Sequence, residues 1–163
     1  MILTSFIIYL IYNIFVLTKY GIPENLSSTY YMLGRFKWIF PITMLICVSL
    51  LIPGWLELMD GSDFQFLAFL CPIAIGFMAM APDFKSDKLE YNVHAISTCM
   101  AAILALFAII FVLKGWLYLI FCIFLILLLS ITTRSLKNNW LYWLETIMFL
   151  ATYISTIRMW CSW

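Results

Sequence analysis

Six stretches of this chain are almost purely apolar, and each is too long for a buried strand. They cover about residues 2–18, 38–56, 64–81, 93–113, 116–133 and 140–160. Most approach the ~20 residues that a helix needs to cross ~30 Å of hydrocarbon. They lack the alternation of a lipid-facing barrel strand. Inside lipid every backbone N–H must be satisfied within its own segment, so each stretch reads as a helix. The expected fold is all-α: a polytopic transmembrane bundle of six helices that forms one domain over residues 1–163.

Composition closes the other classes. The chain is 66% hydrophobic and 10% charged, against roughly 45–50% and about 25% in a soluble domain. A soluble fold of 163 residues has too little interior to hide that surface. Nine basic and eight acidic residues leave a net charge of +1. That gives no basic excess for nucleic acid and no polybasic tail for anionic lipid. The expected partners are membrane lipid, a second copy of the chain or a partner membrane protein. Cys47, Cys71, Cys99 and Cys122 lie inside apolar runs and read as small packing residues. Cys161, between Trp160 and Trp163, reads as an exposed thiol. The first run has no basic residue ahead of it, and Lys19 follows it. That order suits a retained helix with an exported N-terminus rather than a cleaved signal.

The breaks between runs carry familiar punctuation. Gly21 and Pro23 end the first run, Pro53 and Gly54 lie near the end of the second, and Pro82 ends the third. Asp87 with Glu90 has capping-box spacing for the fourth helix. Lys114-Gly115 predicts a tight turn that makes the fourth and fifth helices antiparallel neighbours. Pro72 predicts a kink in the third span. The longest connection, Glu24 to Lys37, predicts a short interfacial helix capped by Ser27 or Ser28, with Tyr30, Tyr31, Leu33 and Phe36 on the membrane surface.

Charge sets the expected orientation. Six spans put both termini on one side. The opposite connections hold Lys19, Arg35, Lys37, Lys85, Lys88, Arg134 and Lys137, while the terminus side holds only Lys114 and Arg158. The positive-inside rule then places the first set in the cytoplasm and both termini outside, in an inner membrane. The tryptophans agree. Trp38, Trp140 and Trp143 fall at the expected inner interface, and Trp55, Trp116, Trp160 and Trp163 at the outer one.

An ionisable group within a span costs ~2.5–3.5 kcal/mol at a helix centre, so it is a candidate for function. Glu145 lies inside the sixth run. His94 is the one histidine, four residues after Glu90 on the same helix face. Asn13 lies in the inner half of the first span. These residues, with Ser97 and Thr43, are candidates for one polar cluster open to the cytoplasm. They bind a ligand or handle a proton, or else they join helices by hydrogen bonds, with His94 donating to Glu145 or to a carbonyl. No catalytic residue, metal site or cofactor is assigned. A single histidine cannot build a zinc site, and there is no GxSxG, P-loop or GxGxxG. These absences favour a non-enzymatic membrane module. A small proton-coupled carrier and a lipid-modifying enzyme remain as alternatives.

The segments Ala81-Pro82-Asp83-Phe84-Lys85, Glu90…Val93-His94, Ser27-Ser28-Thr29-Tyr30-Tyr31 and Asn138-Asn139-Trp140-Leu141-Tyr142-Trp143-Leu144-Glu145 resemble small uncharacterised six-span membrane proteins of bacteria and their phages. That group is distantly similar to the alkaline ceramidase-like hydrolases, whose several zinc-binding histidines this chain lacks. Hydrolase activity is therefore not carried over; the resemblance implies a compact six-helix membrane protein of unassigned role, and it draws interest to Glu90, His94 and Glu145.

Overall fold

The computed structural model describes residues 1–132 and 136–162. Two residues used above for orientation, Arg134 and Trp163, lie outside them, as does the end of the fifth run at residue 133. Among the described residues the fold is all-α. Its helices are α1 (Ile2–Tyr20), a short α2 (Thr29–Met32), α3 (Ile39–Leu58), α4 (Leu67–Met80), α5 (Lys88–Phe107), α6 (Trp116–Thr132) and α7 (Leu136–Cys161). A 3-10 turn at Gly34–Phe36 leads into α3, and a π turn at Ala108–Val112 extends α5. Each of the six apolar runs lies on one long helix.

Three segments are long and apolar enough to cross a membrane: Ile2–Tyr20, Gly34–Leu58 and Lys88–Val112. The other three long helices differ from the expected span in length or charge. α4 has 14 residues, about 21 Å at ~1.5 Å per residue. α6 has 17. α7 has 26 but carries Lys137, Glu145 and Arg158.

Packing follows chain order along one side of the bundle. α1 packs on α3, α3 on α4 and α4 on α5, while α6 packs on α7, which also meets α1, α3 and α5. Gly54 is where α1 crosses α3. A Cβ there would run into the Ile2 side chain. Polar side chains tie the same region together, as small hydroxyls do between apolar helices. The Ser5 hydroxyl lies 2.8 Å from the Cys47 carbonyl and 2.7 Å from the Tyr153 hydroxyl. Around them Tyr9 stacks on Phe149 with ring centroids 4.9 Å apart.

Several expectations need correction. The turn at Lys114-Gly115 does not lay α6 along α5. α6 packs against α7 and meets the end of the preceding helix chiefly at the π turn. The reason is local. The Leu113 N–H reaches back to the Ala108 carbonyl at 2.8 Å, and the Gly115 N–H to Ile109 at 2.7 Å. This wide turn seats Gly115 against Ser155 of α7, where a Cβ would collide with that side chain. Tyr30 and Leu33 are buried in the core rather than spread on a membrane surface, and Phe36 is exposed. The cap of α2 is not a serine side chain acting on the helix. Asn25 and Ser28 form a reciprocal box instead. The Asn25 Oδ1 accepts from the Ser28 N–H at 2.7 Å, and the Ser28 Oγ accepts from the Asn25 N–H at 3.3 Å. Trp55 is fully buried and donates its indole N–H to Thr156 at 3.1 Å, so protein rather than interfacial water satisfies it. Trp143 is buried too, whereas Trp38, Trp116, Trp140 and Trp160 are exposed. α4 starts three residues later than expected, so Pro72 lies in its second turn rather than at mid-span.

Candidate functional site

The start of α7 is built to hold another segment. Asn139 leaves helical geometry, with φ −126° and ψ 25°. The Tyr142 N–H therefore points to a partner outside its own helix, the Glu24 carbonyl at 3.2 Å. The Asn139 side chain donates to the carbonyls of Ile22 and Pro23 at 3.0 and 2.7 Å. One turn further on, Glu145 Oε2 accepts the Leu26 N–H at 2.6 Å. Residues 22–26 thus lie as a strap across the first turns of α7. A proline-containing connection leaves backbone groups unpaired, and each must find a partner once buried.

Asn13 belongs to the same system. Its amide donates to the Tyr9 carbonyl at 2.9 Å, and its Oδ1 accepts from the Tyr142 hydroxyl at 3.4 Å. The hydroxyls of Tyr12 and Thr29 share a hydrogen bond, and Thr29 also donates to the Leu26 carbonyl at 2.7 Å. So α1, the strap and α7 are joined around Glu145.

His94 and Glu90 sit elsewhere, in the first two turns of α5, beside its connection to α4. His94 Nδ1 lies 3.1 Å from both the Met78 and the Ala81 carbonyl, which makes it a donor and fixes the proton on that nitrogen. Its ring stacks on Phe84 at 4.3 Å. Glu90 Oε2 accepts the Asp83 N–H at 2.7 Å, while Asp87 caps α5 by accepting the Glu90 N–H at 2.9 Å. The shared face of Glu90 and His94 therefore closes a helix–helix turn. Ser97 donates to its own helix, to the Val93 carbonyl. Among the described residues no hydrogen bond links His94 or Ser97 to Glu145. The expected polar cluster is divided into two systems, one holding Asn13 and Glu145 and the other Glu90 and His94. Thr43 is buried on α3.

The two systems meet at one end of the bundle. Lys85 bridges to Glu24 of the strap at 3.0 Å. The Tyr31 hydroxyl accepts the Lys85 N–H at 2.8 Å and donates to Asp83 at 3.3 Å. Burial above all, with the Asp83 carboxylate nearby, holds the Tyr31 phenol above its ordinary range, so it stays a donor.

Between α3, α4, α5 and α7 lies a cavity of about 220 Å³, which sequence reasoning did not anticipate. Its walls are apolar, from Met44, Leu51, Trp55, Ile75 and Met148 among others, and Leu26 of the strap and Glu145 line it as well. α5 leaves the room because it presents Ala101, Ala102 and Ala105 to the cavity, side chains too small to fill it. Cys99 of α5 and Leu144 of α7 line the cavity and are also exposed, so it meets the outer surface between these helices. An alternation of small residues on one helix with Leu and Met on a distant one has no local signature, which is why the sequence hid it. Among the described residues no three His, Cys, Asp or Glu side chains are grouped to hold a metal ion. No family model, no curated protein and no solved structure matches the chain.

Proposed function

We propose that this chain is a non-enzymatic, multi-pass module of an inner membrane, that all six long helices cross the bilayer, and that it works by taking up lipid. The observation that carries the reading is the apolar cavity of about 220 Å³ that opens between α5 and α7. It exceeds the ~150 Å³ of an engineered apolar cavity that stays dry and takes up benzene. Its opening faces the side of the bundle, where α5 exposes Ile96 and Ile103 and α7 exposes Leu144. In a bilayer that side is hydrocarbon.

The sidedness has its own support. The α1–α3 connection, the α4–α5 turn and the start of α7 touch one another through Glu24, Lys85 and Asn139. These are the connections that hold Arg35, Lys37, Lys85, Lys88 and Lys137, and the positive-inside rule puts them in the cytoplasm. α4 is short for a span, which a bundle accommodates by local thinning of the bilayer.

Native mass spectrometry of protein extracted from membranes tests it. Wild type retains a lipid-sized adduct. Ala102→Phe, which fills the cavity from α5, loses the adduct while the protein stays folded. Equal retention by both proteins removes the reading. A small carrier is the second reading, favoured by the carboxylate that lines the same cavity. It requires a pH-dependent flux in proteoliposomes that Glu145→Gln abolishes.

A further inference from the structure

The cavity has one wall carboxylate, and that group selects the occupant. Among its lining residues Glu145 alone carries an ionisable carboxylate, and no lysine, arginine or histidine lines the space. The other polar groups are mostly engaged. Thr98 donates to the His94 carbonyl at 2.8 Å, Thr152 to Met148 at 2.7 Å, and Tyr153 pairs with Ser5. Glu145 uses Oε2 for the Leu26 N–H. Among the described residues Oε1 takes no hydrogen bond. The polar end of the cavity thus has a carboxylate acceptor to spare and no cationic side chain to pair with an anion.

We propose that the cavity binds a single-chain amphiphile with a cationic or hydrogen-bond-donating head, an alkylammonium above all, its head on Glu145 Oε1 and its chain along α7 toward Trp55. This deepens the lipid-binding reading and rests on it. The chain path is set by the lining. From Leu141 to Thr152 the cavity follows α7 for about 16 Å at ~1.5 Å per residue. The small volume admits one chain rather than the two of a phospholipid. A carboxylate or phosphate head would face Glu145 with like charge in a low-dielectric wall, which is strongly unfavourable. A head that donates to a carboxylate makes a charge-assisted hydrogen bond, the stronger kind. The path of entry lies between α5 and α7, at Cys99 and Leu144.

The test uses three probes with the same diazirine-bearing alkyl chain and an amine, an alcohol or a carboxylate head. Each is photolysed with the whole protein in phosphatidylcholine nanodiscs, and labelled residues are mapped by mass spectrometry. The amine is expected to label cavity residues such as Leu51, Trp55 and Ala105 about tenfold or more above the carboxylate. Glu145→Gln, which keeps an acceptor for the Leu26 N–H, should bring amine and carboxylate labelling close together while the alcohol still labels the cavity. Equal labelling by amine and carboxylate in wild type overturns the head-group assignment and leaves the lipid-cavity reading standing. Labelling of none of the cavity residues by any probe overturns both. Ala102→Phe serves as the control in which cavity labelling by every probe is lost.

Discussion

Glu145 and His94 both sit inside long apolar helices and both bond backbone groups, yet they are used in different ways. His94 gives its one bonded nitrogen to two carbonyls at the end of α4, under the Phe84 ring, and closes a turn between consecutive helices. Glu145 reaches across 119 residues of sequence to the Leu26 N–H, and it also faces a cavity. A helix end leaves carbonyls unpaired, so a donor placed one turn into the next helix has an evident structural role. A carboxylate on a strap needs only one of its oxygens for that purpose. The difference teaches that burial alone does not mark function. The mark is bonding capacity left over in a space that can hold something.

Substitutions at the two systems should separate accordingly, and Glu145→Leu should cost the most. It leaves the Leu26 N–H buried without an acceptor, a loss of about 1–3 kcal/mol. The check is thermal unfolding in detergent, where Glu145→Gln should lose less than half as much because its carbonyl can still accept. Equal losses in the two variants would mean that charge rather than the hydrogen bond holds the strap. Asn139→Ala comes next, at roughly 1–2 kcal/mol for two amide hydrogen bonds. Its particular signature is faster proteolysis at residues 22–26, since the strap loses its hold on α7 while the helices stay packed.

How much of this was legible in the sequence follows from the range of the interactions. The six long helices were readable because apolar length is a local property of the sequence. Asp87 was readable as a cap for the same reason, its partner Glu90 being three residues away. The burial of Trp55 was not, because its partner Thr156 lies 101 residues on. The seat of α6 was hidden as well. It depends on a π turn and on Gly115 resting against Ser155, neither of which changes the hydrophobic pattern. Glu145, Asn13, Glu90 and His94 were each identifiable as costly polar groups in apolar runs. Their sorting into two systems was not, since the strap that claims Glu145 is a connection with no periodicity of its own.

His94→Ala should then fall below the α7 variants, at about 1 kcal/mol for the bond to two weakly held carbonyls. It should leave alkylamine labelling of the cavity unchanged. A loss of labelling as large as that of Ala102→Phe would mean that the α4–α5 turn shapes the cavity after all, and the contrast between the two systems would collapse.

The smallest effect is expected where the two systems touch. Lys85 and Glu24 form an ion pair at 3.0 Å, but their side chains are 48% and 69% exposed. Such pairs contribute about 0–1 kcal/mol, because water screens the charges and two long side chains lose freedom. Lys85→Ala should therefore shift unfolding by less than either neighbour's variants, and the shift should shrink further in high salt. The backbone N–H of residue 85 would still donate to Tyr31, so the turn stays joined to α2 by that contact. A large, salt-insensitive loss would instead mean that the bridge is buried in the working molecule. The headgroup layer, which excludes part of the water seen by a soluble surface, would then be the cause, and the same experiment repeated in nanodiscs and in detergent would reveal it as a difference between the two media.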